Sequence, residues 1–241
     1  VNYLPEINSD VKDDLAVSFI SPHYIVAKKV NAKAKIAWIH TDYSKIAVDR
    51  ESEVKMWDAY DKVISISDSV TRAFLQSFPS LRDKMYLIEH IIPEVFINEQ
   101  AETGKNDAEK EMKKRTDELI LLSVGRFCYA KNFENIPEMC KYIRNKGINI
   151  RWYIIGFGPD EVLIRTKIKE FGMEEYVIIL GKKSNPYPYI KACDFYVQPS
   201  RFEGKAVTVM EAQMMKKPVV ITNYKTAASQ VKSGFDGVIV P

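Results

Sequence analysis

The sequence predicts an α/β protein made of two open, parallel β-sheets covered by helices, and three features carry that prediction. Short β-branched or aromatic runs bounded by polar residues recur along the chain, the pattern of strands buried on both faces. Amphipathic stretches separate them at the spacing of β-α units rather than hairpins. A polar, charge-dense stretch at residues 100–117 then divides the chain.

In the first part, strands are expected at residues 15–20, 35–41, 62–67 and 84–90, with a helix at 68–78 opened by a Ser67 or Asp68 cap. Residues 100–117 read as a charged linker or an exposed helix. Beyond them, strands expected at 118–124, 150–155, 177–180, 195–198, 218–221 and 237–240 alternate with helices at 135–146, 160–171, 188–192, 207–215 and 226–232. Alternation of that kind gives a parallel sheet with helices on both faces. The expected organisation is one α/β domain over residues 1–99, the linker 100–117, and a second over 118–241. Ligands of such sheets bind beyond the carboxyl ends of the strands.

Composition narrows the function. A net charge of +3 offers no sequence-wide attraction for nucleic acid. Three widely spaced cysteines without a CxxC pair fit a reducing compartment, so a cytoplasmic location is expected. No apolar run approaches the roughly 20 residues that span a bilayer, which leaves peripheral contact as the expected form of any membrane association.

Five stretches could carry chemistry. Ser123-Val124-Gly125-Arg126-Phe127 ends a strand and is followed by Lys131-Asn132-Phe133. Two cations on one loop suit a diphosphate; equally, they are solvated loop charges. Pro199-Ser200-Arg201-Phe202-Glu203-Gly204-Lys205-Ala206 lies between a strand and a helix, where free N–H groups favour phosphate oxygens. Glu203 and Glu211 are eight residues apart and can face one cleft, one on a sugar and the other on a ribose; the alternative is a helix cap and a solvated helix residue. Glu211 sits in a helix apolar on most of its circumference, so its carboxylate needs a partner.

Ile154-Ile155-Gly156-Phe157-Gly158-Pro159 lacks the third glycine of a dinucleotide fingerprint, Glu161 standing in its place, and reads as a tight turn lining a nucleotide cleft. The proline-stiffened loop from Gly181 to Tyr189, including Pro186 and Tyr187, either holds a base or is a structural turn. In the first domain, Trp38-Ile39-His40-Thr41-Asp42 closes a strand and places His40 where it can reach a substrate hydroxyl, with His90 a weaker candidate of the same kind. No metal site is expected, since the histidines are scattered and no DxD pair occurs.

From Leu121 to Pro241 these motifs, together with Lys-Pro-Val-Val-Ile-Thr and Gly-Phe-Asp-Gly-Val-Ile-Val-Pro, resemble in order the donor domain of glycosyltransferase family 4. That retaining family has the GT-B fold, two Rossmann-like parallel-sheet domains facing a cleft. The resemblance implies a metal-independent hexosyltransferase that moves a hexose from a nucleotide diphosphate sugar, a UDP-sugar, to a glycan or lipid-linked acceptor in bacterial surface-polysaccharide synthesis. It implies no separate cofactor, no nucleic-acid partner, and peripheral contact with the inner face of the membrane.

The implied roles follow residue by residue. Arg126 and Lys131, beside Gly125, hold the diphosphate; Glu203 contacts the transferred sugar; Glu211 holds the ribose; the amides of Gly204, Lys205 and Ala206 cradle phosphate. Gly156, Gly158, Pro186 and Tyr187 line the nucleotide cleft, and His40 approaches the donor sugar. Lys205-Ala206 departs from the apolar-Pro pair common in the family. The family's opening glycine-rich loop has no counterpart before Leu15, so the first domain is expected to be incomplete and the returning C-terminal helices to lie outside this chain. The rival functions are a GT-B sugar-nucleotide epimerase or hydrolase, and a non-catalytic nucleotide-sugar-binding fragment.

Overall fold

In the computed structural model, residues 3–241 are described apart from 8, 42, 48 and 90, so His90 lies outside the described residues. The chain forms two compact units, 1–91 and 92–241.

The first unit runs β1 (Asp13–Ser18), α1 (Tyr24–Lys29), β2 (Ala32–Ile39), α2 (Arg50–Trp57), β3 (Lys62–Ser65), α3 (Asp68–Ser77) and β4 (Met85–Leu87). Its four strands pair in sequential order, all parallel. The expected cap is present: Ser67 Oγ accepts the Val70 amide at 3.3 Å and opens α3. Helix α2, which the sequence pattern did not single out, is opened by Asp49 and buries Trp57. Trp57 and Tyr43 each meet Phe74 edge-on with centroids 5.0 Å apart, an arrangement that adds to simple area burial.

The second unit adds α4 (Glu94–Glu102), α5 (Lys105–Glu111), β5 (Leu119–Val124), α6 (Ile136–Asn145), β6 (Ile150–Ile155), α7 (Glu161–Phe171), β7 (Val177–Gly181), α8 (Tyr187–Ala192), β8 (Phe195–Gln198), α9 (Val207–Met214), β9 (Val219–Thr222) and β10 (Val238–Val240). Its six parallel strands are ordered β10-β9-β8-β5-β6-β7. Alternate residues serve opposite cores: Leu122, Tyr153 and Ile155 pack in one, Leu121, Trp152 and Ile154 in the other. Both faces are thus covered over the centre of the sheet. The helix expected at 226–232 is only a 3-10 turn, Ala227–Ser229. Its chain is diverted locally, because Ser229 Oγ donates to Thr226 O at 2.7 Å and Gln230 O accepts from Gln213 Nε2 at 3.3 Å.

The domain limit at 99/100 and the linker at 100–117 are corrected. Helices α4 and α5 belong to the second unit, where Ile97, Ala101, Ala108 and Met112 are buried in its core. Each pair is four residues apart and so lies on one helical face. Polar anchors reinforce the packing: Lys183 pairs with Glu111 at 2.5 Å, Lys191 pairs with Glu102, and Asn185 Nδ2 donates to Gln100 O at 2.7 Å. The charges that suggested a linker occupy the outer faces. Among the described residues no helix is long and apolar enough to cross a membrane.

Ala101 is fully buried, so Ala101→Arg places an unpaired charge in the core and is expected to destabilise the second unit by more than about 3 kcal/mol in urea unfolding. A linker position would change by less than about 0.5 kcal/mol. An unchanged unfolding midpoint would return this segment to a linker.

Candidate functional site

Strand order reverses between β5 and β8: the chain proceeds outward through β6 and β7 on one side and through β9 and β10 on the other. A reversal of this kind leaves a crevice at the carboxyl edge, because the loops leaving the two central strands diverge. The loop after β5 carries Gly125, Arg126 and Lys131; the loop after β8 carries Ser200 to Ala206.

The two loops meet through an ion pair. Lys131 Nζ lies 2.6 Å from Glu203 Oε1, with both side chains largely shielded from solvent. Ser200 Oγ donates to the same oxygen at 2.6 Å, and Gln198 Nε2 at 3.3 Å. Three donors therefore fix Glu203 through Oε1, and among the described residues no hydrogen bond is made to Oε2. Tyr196 OH donates to Gln198 Oε1 at 2.8 Å, extending the chain into the core. Gly125 makes room for the cation, since a Cβ there would lie 3.2 Å from Lys131 Cε.

Arg126 is exposed and lines a cleft of about 490 Å³ with Gly125, Gly156, Phe157, Lys182, Lys183 and Pro186. Gly156 is required by close approach: a Cβ would stand 1.8 Å from Gly125 O. Gly158 has a structural part, its Cβ position being 2.2 Å from Phe127 O, and it is not among the cleft-lining residues. A larger cavity, about 710 Å³, lies against α6 and is lined by residues such as Leu121, Met139, Tyr142 and Val220. It holds no lysine or arginine to meet a phosphate, whereas Arg126, Lys182 and Lys183 line the smaller cleft; Lys131, Glu203 and Glu211 are not among the residues lining either.

Glu211 has the partner its apolar helix demanded. Tyr187 OH donates to Glu211 Oε1 at 3.0 Å, from a residue 24 positions earlier in the chain. Burial pushes the Glu211 carboxyl above its usual range, and the bond from Tyr187 offsets part of the rise. Burial and the nearby Glu211 charge push the Tyr187 phenol up to about 12, so it remains a donor.

The expected phosphate cradle is altered at one member. The Ala206 amide donates to Gln230 Oε1 at 3.0 Å, and Gln230 Nε2 donates back to Ala206 O at 3.1 Å, so that amide is committed within the protein. Helix α9 has no side-chain cap at Ala206; the Val209 amide donates to Ala206 O at 3.1 Å, and the Val207 and Thr208 amides have no intrahelical acceptor, as at any helix start. Thr226 Oγ1 donates to Glu203 O at 3.0 Å and braces the same loop, in which Gly204 and Lys205 are half-buried.

In the first unit, His40 follows β2 and packs on Phe19 with centroids 4.7 Å apart. Sequence reasoning missed His23, which is buried beside it in the fold of this unit. Ser18 Oγ and His23 Nδ1 share a 2.8 Å hydrogen bond, and burial, aided by His40, lowers the His23 pKa to about 4. Its signal was position, since Ser21-Pro22-His23 follows the carboxyl end of β1. Gln198 and Ser200 carried a similar signal, polar residues where a buried strand ends.

Because Glu211 holds its proton more tightly folded than free, its charged form costs stability above its raised pKa, and that cost disappears as pH falls below the ordinary value of 4.5. Glu211→Gln, which keeps an acceptor for Tyr187, is expected to raise the thermal midpoint at pH 7 and to give no gain in acid. A variant less stable than wild type at neutral pH would contradict this.

Comparison with known proteins bears on the family and the fold. The family Glycosyl transferases group 1 matches residues 104–241. An uncharacterized glycosyltransferase of Methanocaldococcus jannaschii is 25% identical over 95% of the chain, which spans 58% of that relative. The N-acetylgalactosamine-N,N'-diacetylbacillosaminyl-diphospho-undecaprenol 4-alpha-N-acetylgalactosaminyltransferase of Campylobacter jejuni is 35% identical over 46% of the chain and 30% of its own length. The crystal structure of Anabaena HepE in complex with UDP and glucose superposes with a TM-score of 0.71 at 16% identity, over 86% of this chain and 57% of that one. The two parallel-sheet units are of the GT-B class, and the chain belongs to the glycosyl transferases of group 1.

Proposed function

We propose that the protein is a retaining hexosyltransferase that moves a hexose from a UDP-sugar to a glycan or lipid-linked acceptor in polysaccharide biosynthesis. The observation that carries this reading is the pair of shielded carboxylates near the strand-order reversal, Glu203 paired with Lys131 and the buried Glu211 held by Tyr187, with Arg126 on the loop that carries Lys131. Carboxylates accept from sugar and ribose hydroxyls, while the cations meet a diphosphate. The UDP and glucose of the Anabaena structure and the diphospho-undecaprenol acceptor of the Campylobacter relative support the same substrate classes.

On this reading Glu203 Oε2 accepts from a hydroxyl of the transferred sugar, while Oε1 stays anchored by Ser200 and Gln198. Glu211 holds the ribose. Arg126, Lys131 and the positive end of α9 neutralise the diphosphate without a metal ion. The acceptor hydroxyl attacks the anomeric carbon on the face from which UDP leaves. The C–O bond to the acceptor forms as the bond to the β-phosphate oxygen breaks, and the hydroxyl proton passes to a phosphate oxygen of UDP. The configuration is retained and no protein nucleophile takes part. The chain acts at a cytoplasmic membrane face, where lipid-linked acceptors are met.

Calorimetric titration separates the carboxylates. Glu211→Ala is expected to weaken UDP binding roughly 10- to 100-fold, as for loss of a charge-assisted hydrogen bond, and Glu203→Ala to lower turnover with UDP affinity nearly kept. Equal UDP affinity in both variants and the wild type would sink the assignment. Transfer should persist in EDTA; its abolition there would overturn the metal-free mechanism. Release of free UDP without sugar on the acceptor would instead indicate an epimerase or hydrolase.

A further inference from the structure

Two ion pairs cross the same two loops in opposite senses. Lys131, on the loop after β5, reaches Glu203 on the loop after β8; Arg201, on the loop after β8, reaches Glu134 on the segment after β5, each at 2.6 Å. The second pair is the more heavily anchored. Arg201 Nη1 also donates to Tyr129 O at 2.7 Å, its backbone amide donates to Ala130 O at 2.8 Å, and its guanidinium lies 4.1 Å over the Tyr129 ring. Glu134 is buried, and its Oε2 has no hydrogen-bond partner, so Arg201 is the charge that compensates it.

The pairs differ in what surrounds them. None of the four paired side chains is among the residues lining the cleft, but Lys131 packs on Gly125, which lines it, a Cβ there standing 3.2 Å from Lys131 Cε. An entering diphosphate competes with Glu203 for the Lys131 ammonium. Glu203 can release it, because Ser200 and Gln198 still hold Oε1. Loss of that contact would let the two loops separate unless something else joined them.

We propose that the Arg201–Glu134 pair is a positioning clasp that keeps the Lys131 loop and the Glu203 loop in register while the Lys131 ammonium passes from Glu203 to the donor diphosphate. The inference rests on the nucleotide-sugar reading above. Arg201 suits the task because its planar fork serves a carboxylate and a carbonyl from one side chain, which a lysine ammonium matches poorly. It touches no substrate and acts only through Lys131.

The test is a double-mutant cycle on UDP affinity measured by calorimetry. In the wild-type background Lys131→Ala is expected to weaken UDP binding roughly 10- to 100-fold, and in the Arg201→Ala background by less than about 3-fold, because an unclasped lysine is already misplaced. Arg201→Lys should restore part of the Lys131 effect, and the swapped pair Arg201→Glu with Glu134→Arg should restore more than either single change. Should Arg201→Ala fail to fold, Glu134→Gln, which keeps the volume and one acceptor, takes its place in the cycle. Equal Lys131 effects in folded clasp variants and in wild type would overturn the clasp. Absence of UDP binding by the wild type would instead overturn the functional reading on which it rests.

Discussion

Strands β5 and β8 are neighbours in the sheet, Leu121 beside Phe195 and Leu122 beside Tyr196, although β6 and β7 intervene in sequence. Everything at the site depends on that junction. Ser123 Oγ donates to Val197 O at 2.6 Å and accepts from Trp152 Nε1 at 3.0 Å, while Tyr196 OH reaches Val124 O at 3.3 Å. Buried hydrogen bonds in such a chain resist water and hold the strand ends tightly. The loops that leave those ends therefore begin from fixed positions, so Lys131 and Glu203 meet across two segments distant in sequence. A glycine before Arg126 and the missing Cβ of Gly156 then allow the neighbouring loop to close on the first by backbone contact alone.

The site is built at a cost to the fold. Glu211 sits where burial disfavours its charge, and its one phenolic donor does not cancel that penalty. Glu203 is better provided, with three donors on one oxygen. The difference fits their proposed tasks. A carboxylate that must keep a fixed angle to a sugar gains from rigid anchoring, whereas one that waits for two ribose hydroxyls gains from unfilled acceptor capacity.

How much of this was legible in the sequence depended on the distance over which the signal acts. Strands β6 and β8 fall on their expected residues, because runs such as Ile150–Ile155, apolar but for Arg151, report burial on both faces directly. The need of Glu211 for a partner was legible; Tyr187 as that partner was not, since only the fold brings α8 beside α9. For Pro186 and Tyr187 the sequence leaves a base-holding loop and a structural turn both open; the fold turns the Tyr187 hydroxyl to the Glu211 carboxylate. A helix such as α5 is one of the two readings open for residues 100–117; that α4 and α5 pack into the second core was not legible, because their buried positions include Ala101 and Ala108, small residues that barely register among so many charges. The reciprocal Arg201–Glu134 contact left no trace in spacing.

The clamp on Ala206 shows why an amide counted from sequence is not an amide available to a ligand. A serine or threonine cap would have steadied the start of α9 at the expense of an N–H group in its first turn. Gln230 instead grips the Ala206 peptide from outside, through both its N–H and its C=O, and Tyr224 OH holds the Gln230 amide oxygen at 3.0 Å. The helix start is fixed by a side chain 24 residues away; the Val209 amide bonds Ala206 O at 3.1 Å, and the Val207 and Thr208 amides remain at the helix end. The start of α9 thus gains its rigidity from the segment that follows β9 rather than from a cap in its own first turn, and on the proposed reading a phosphate would meet a preorganised dipole there without displacing a cap.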